Sequence, residues 1–109
     1  MYFGQMPNIK FSYLYRDGGN YKKFDYVIFA NPNNIDLSQI ETTIREKLID
    51  KTWFYADEWK LPELFLDMFH WRVDPTWHEF EAIEYTNETP NASISLSDFI
   101  EAVKQIKPV

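Results

Sequence analysis

Between Ile9 and Arg16 apolar and polar side chains alternate, with Ile9, Phe11, Tyr13 and Tyr15 on one face and Lys10, Ser12, Leu14 and Arg16 on the other. Period two marks a strand with one face against a core. Asp17-Gly18-Gly19-Asn20 follows, residues that tolerate positive φ, and then a second aromatic and β-branched run from Tyr21 to Ala30. Residues 9–30 are therefore expected to form an antiparallel hairpin. The far end of the second strand is apolar on both sides, Val27 and Phe29 against Ile28, which suggests a central strand or one covered twice.

Asn31-Pro32-Asn33-Asn34 breaks that strand, and the period changes. Leu37, Ile40, Ile44 and Leu48 recur at helical spacing, with Asp36 placed as N-cap, Gln39 at the third helical position, and Ile35 and Ile40 placed to staple the entry. A helix over about 37–50 is predicted. Thr52 to Ala56 reads as a short third strand, and Pro62 to Phe69 fits a short helix and an extended segment about equally. After the turn at Pro75, Trp77 to Thr86 reads as the last strand. Its alternation slips, since Phe80 and Ala82 share one face and Ile83 and Tyr85 the other, so a bulge near Ala82 or burial on both sides is expected. Ser95 with Asp98, and Ile94 with Phe99, open a C-terminal helix with an apolar stripe of Leu96, Phe99, Ile100, Val103 and Ile106, ending near Lys107-Pro108. The order β-β-α-β-β-α predicts an α+β domain, an antiparallel sheet of about four strands with two helices on one face. Residues 1–8 read as an N-terminal extension and 9–109 as one domain.

Composition narrows the chemistry. The chain has no cysteine, which removes disulfides, thiolate metal sites and cysteine nucleophiles. The first residues, MYFGQMPNIK, lack a basic region followed by an apolar run, and no stretch is long and apolar enough for a membrane span, so a cytoplasmic protein without membrane attachment is expected. Charge is uneven within a net −6: residues 1–30 carry +2, which leaves −8 for the rest, and Asp74 to Glu101 holds seven acidic residues with no Lys or Arg. Such a surface repels phosphates, which disfavours nucleic-acid binding, and attracts a basic protein surface. No composition signal sets the oligomeric state.

The densest chemistry lies in Trp71 to Tyr85, WRVDPTWHEFEAIEY, beside His70. His70, His78, Asp74 and Glu79 allow a metal site or a His–carboxylate base, but HExxH and HxH spacings are missing, and on a strand His78 points away from Trp77, Glu79 and Glu81. Asp57, Glu58, Glu63 and Asp67 are spaced for one helix face, yet form neither a calcium loop nor a two-acid motif. GxSxG, P-loop and GxGxxG motifs are also missing, so no catalytic residue, metal or cofactor is assigned. Aromatics make up 18% of the chain. Most must fill the core, and some of Tyr13, Tyr15, Trp53, Trp59, Trp71 and Trp77 are expected at the surface. Exposed Trp rimmed by carboxylates fits a protein-binding patch, assigned here to Trp71, Asp74, Trp77, His78, Glu79, Glu81 and Glu84. The alternative is a platform that stacks a sugar or another small molecule on Trp71 or Trp77.

KFSYLYRDGGNYKKF, Leu61-Pro62-Glu63 after Trp59, and TWHEFEAIE together resemble a group of short acidic bacterial proteins to which no activity is assigned. The resemblance runs from about Lys10 to Thr86. It implies a cytoplasmic bacterial or phage protein and carries over no site residues. The expected function is that of a small non-enzymatic regulatory or inhibitory factor, such as an immunity protein, antitoxin or phage-type inhibitor, that meets a basic partner.

Overall fold

The computed structural model describes residues 7–66 and 69–107. Six elements follow in the order β1 (Asn8–Arg16), β2 (Lys22–Phe29), α1 (Leu37–Lys47), β3 (Trp53–Phe54), β4 (His78–Thr86) and α2 (Leu96–Lys104). The four strands form one antiparallel sheet in the order β2-β1-β4-β3, with the helices on one face. This is the α+β architecture that the periodicity predicts.

β1 lies inside the sheet, and its alternation reports that position: Ile9, Phe11, Tyr13 and Tyr15 are fully buried. Phe11 is the hub of the core, with ring centroids of Phe54, Phe80, Phe99, Tyr13 and Trp59 between 5.4 and 6.2 Å away. α2 reaches the sheet through Phe99, stacked on Phe29 at 4.7 Å, and α1 through Ile40 and Ile44. Aromatics at these separations interlock in tilted and edge-on pairs, which fills a small interlayer space with few side chains.

The hairpin forms as expected, although the left-handed residue of its turn is Asn20, at φ 68°, and not either glycine. β2 is an edge strand and not a central one, and the other expectation holds: Val27, Ile28 and Phe29 are all buried, so the far end is covered on both sides. Its apolar far end is covered by the core on one side, while the 91–92 loop bonds to Ile28 along its outer edge. α1 is capped by Asp36 through its backbone, and the Asp36 carboxylate accepts from the Ser38 hydroxyl and not from a helix N–H. The helix stops at Lys47, earlier than the spacing suggests, because Ile49 and Trp53 exchange backbone hydrogen bonds of 2.7 and 2.9 Å around a tight turn. That turn holds Asp50 and Lys51 at φ 48° and 62°, a conformation costly for side chains with a Cβ. Lys51→Gly is accordingly expected to stabilise the fold by about 0.5–1 kcal/mol, net of the glycine's extra unfolded-state entropy, read from the urea midpoint.

Residues 62–66 are neither helix nor strand. They are fixed from outside: the buried Tyr13 hydroxyl donates to Pro62 C=O at 2.6 Å. In β4 the ladder passes from Ser12↔Ala82 to Tyr13↔Phe80, so Glu81 is the extra residue of a bulge, adjacent to the expected position. The bulge corrects the face assignment, because Phe80 and Ile83 both meet the core while Ala82 pairs on the open face. Ser95 caps α2 as its sequence suggests, accepting from Asp98 N–H at 3.0 Å. The N-terminal extension lies largely outside the described residues, and Asn8 itself joins β1 by pairing with Thr86.

Candidate functional site

The loop of residues 70–77, which leads into β4, is built around Asp74. Its carboxylate accepts from Gly18 N–H at 2.8 Å and from His70 N–H at 2.6 Å, so one side chain closes the loop on itself and docks it onto the β1–β2 turn. Those two donors, Gly18 first, hold the Asp74 carboxyl below the usual carboxylate range. Asp17 organises the other side of the contact by accepting from Gly19 and Tyr21 N–H, both at 2.9 Å. A third anchor comes from the core: the Tyr15 hydroxyl donates to Pro75 C=O at 2.7 Å, and burial pushes its pKa up to about 12.

Turn and loop together enclose a groove of about 580 Å³, with Trp53, Trp71, Val73 and Trp77 as its apolar lining. Trp71 is 74% exposed and Val73 65%. The Arg72 guanidinium lies 4.8 Å over the Trp71 ring, and Trp53 and Trp77 approach to 6.3 Å. Arg16 and Glu79 line the groove as an ion pair, Nε to Oε2 at 2.7 Å and a second contact at 3.2 Å, with Asn20 also accepting from Arg16. The charged lining comprises Arg16 and Arg72 against Asp17, Asp74 and Glu79, close to balance. A smaller hollow of about 280 Å³ lies beside Trp59 and the end of α2, with Lys47 Nζ at its rim committed to Ile106 C=O.

Comparison with protein-family models, with curated proteins and with solved structures yields no match.

The residues expected to bind a partner fall into three environments. Trp71 and Trp77 are presented at the groove, with Asp74 beneath them as the loop's clamp and Glu79 tied to Arg16. Glu81 and Glu84 are exposed on β4, Glu81 turned out by the bulge and Glu84 paired across from Lys10. His78 is at the surface nowhere: it is 0% exposed, ringed by Tyr15, Phe65, Tyr13 and Phe54 at 5.2 to 6.1 Å. Its Nε2 accepts from Leu64 N–H at 2.9 Å, so the ring is a core acceptor for the irregular 62–66 segment. Among the described residues Nδ1 has no hydrogen-bond partner of good geometry, and burial lowers the pKa of the ring to about 4 against a smaller opposing effect of the Thr76 backbone.

These commitments disperse the His–carboxylate constellation. His70 Nδ1 accepts from Arg72 N–H, and among the described residues no three His, Asp or Glu side chains are placed to share a metal ion. Asp67 lies outside the described residues. The acidic run is also partly spent inside the molecule: Glu88 pairs with Lys10 at 3.0 Å, Glu79 with Arg16, and Asp74 with backbone N–H groups. Gly18, Asp17 and Arg16 enter the site without any local motif to mark them. Trp53 alone among the added residues had a sequence signal, its place in the aromatic excess.

Proposed function

We propose that this chain is a non-enzymatic protein-interaction module that works through the Trp71–Trp77 groove, a small regulatory or inhibitory factor of the immunity-protein, antitoxin or phage-inhibitor kind. The observation that carries the reading is the exposure of Trp71, Val73 and Trp77 on a loop fixed at three points. Holding large apolar side chains in water costs stability, and fixing them lowers the entropy lost when a partner covers them. The partner is a protein with a basic surface, steered by the net charge of −6 and by Glu81 and Glu84, while the near-balanced groove supplies adhesion. Among the described residues no helix is long and apolar enough to cross a membrane, and the proposed setting is the bacterial or phage-infected cytoplasm.

The test compares capture from bacterial lysate by the wild type, by Trp71→Ala and by Glu81→Lys with Glu84→Lys. One species should be retained by the wild type, weakened about tenfold by either change and released as salt rises. A species held equally by all three would sink the proposal. The concave shape and the Trp53–Trp77 pair favour one second reading, a small neutral ligand stacked in the groove. A saturable change in tryptophan fluorescence with a sugar or nucleoside panel would select it.

A further inference from the structure

The outer edge of β2 presents a second surface, separate from the groove. The hairpin closes with Asp17 N–H donating to Tyr21 C=O, and the register Arg16↔Lys22 then alternates along the pair. Odd-numbered residues of β2 thus bond to β1, while even-numbered ones turn both backbone groups outward. Ile28 shows this directly: its C=O accepts from Asn91 and Ala92 N–H, and its N–H donates to Asn91 Oδ1 at 2.7 Å. The 91–92 loop therefore closes the edge at Ile28, and the turn closes it before Lys22. Between them lies an open window of outward positions, Lys22, Phe24 and Tyr26. Phe24 N–H and C=O have no partner among the described residues, and Tyr26 N–H is occupied only by the neighbouring Asp25 carboxylate at 2.8 Å. Phe24 is 58% and Tyr26 40% exposed, with Lys10 Nζ 4.2 Å over the Tyr26 ring.

We propose that this window pairs with the same window of a second copy of the chain, antiparallel across a two-fold axis through Phe24. Charge selects that register. Symmetric pairing centred on Lys23 would set Lys23 against Lys23, and pairing centred on Asp25 would set Asp25 against Asp25. Centring on Phe24 places Lys23 of each copy opposite Asp25 of the other, twice. It does so at a position without ladder hydrogen bonds, where opposed Cα atoms come within about 4.5 Å. Phe24 then meets Phe24, and Lys22 exchanges backbone hydrogen bonds with Tyr26. Asp25 leaves the Tyr26 N–H to bind the second copy's Lys23, so the contact that shields the edge in one copy is exchanged for one between two. The paired segment is short, which makes the dimer a micromolar one.

Sedimentation analysis from about 10 μM to about 1 mM should show a concentration-dependent dimer. Lys23→Asp or Asp25→Lys alone should weaken it roughly tenfold or more by opposing like charges. The two together should restore it, since the swap rebuilds both pairs. Both substituted positions, Lys23 and Asp25, are exposed, and circular dichroism checks that each variant is folded. A wild type monomeric at about 1 mM, a dimer indifferent to the single changes, or a double swap that stays monomeric would each overturn the proposal.

Discussion

Between about pH 7 and pH 5 the folded state is expected to lose about 1–2 kcal/mol, and His78→Gln is expected to remove most of that loss. The folded pKa of His78 is about 4, below the ordinary imidazole value of 6.5, because charging the ring among Tyr13, Tyr15, Phe54 and Phe65 forfeits its hydration. A depressed histidine contributes stability that is complete above the unfolded value and disappears as pH falls toward the folded one. Over that interval the unfolded chain takes up the proton first, at about 1.4 kcal/mol per pH unit, and the lower end of the range allows for solvent screening near the 62–66 loop. The carboxyls held low by their partners, Asp74 and Glu88, lose their contributions only at more acidic pH, so the window separates them from His78. Glutamine keeps an acceptor for Leu64 N–H without titrating. Urea denaturation of both proteins at several pH values reads the slope, and equal slopes would refute the assignment.

Gly18→Ala is expected to cost about 2 kcal/mol and to disorganise the groove, whereas Gly19→Ala should stay within about 0.5 kcal/mol of the wild type. A Cβ at Gly18 would lie 2.3 Å from the Val73 carbonyl oxygen and 3.0 Å from its carbon, both backbone atoms that yield only if the loop moves. Moving it stretches the Gly18–Asp74 hydrogen bond that docks the loop. At Gly19 the nearest neighbours, the Tyr21 ring and the Asp17 carboxylate, lie at 3.4 to 3.5 Å, an ordinary contact. Neither glycine adopts a positive φ, so the contrast tests room and not backbone freedom. Thermal unfolding gives the stabilities, and the emission of Trp71 and Trp77 reports the groove. Indistinguishable behaviour of the two variants would mean that the turn and loop are not docked.

The elements were legible where one physical signal dominates. Alternation over Ile9–Arg16 needs only a one-sided core, and the Ser95–Asp98 cap is a contact between residues three apart. The slip in β4 was legible as a bulge, but not which side chains it sends inward, since that depends on the partner register. At the far end of β2 the double coverage was legible but not its source, because coverage of Val27 to Phe29 comes partly from the 91–92 loop, which lies far along the chain. The site was half legible. Trp71 and Trp77 could be named from aromatic excess, whereas Asp74 acts on Gly18 across fifty-six residues and no local pattern marks that pair. His78 was grouped with the patch by its place in the stretch, yet the alternation that turns it away from Trp77, Glu79 and Glu81 sends it among the aromatics of β1.

β3, the two-residue strand at the far side of the sheet, limits what the molecule can become. An edge that short offers too few backbone groups to template another chain, and its own Trp53 is already engaged with Trp77. At the opposite margin, a two-fold contact through the β2 window would consume that edge on both molecules at once. Association through the proposed β2 contact closes at two chains and leaves no growing end along that edge.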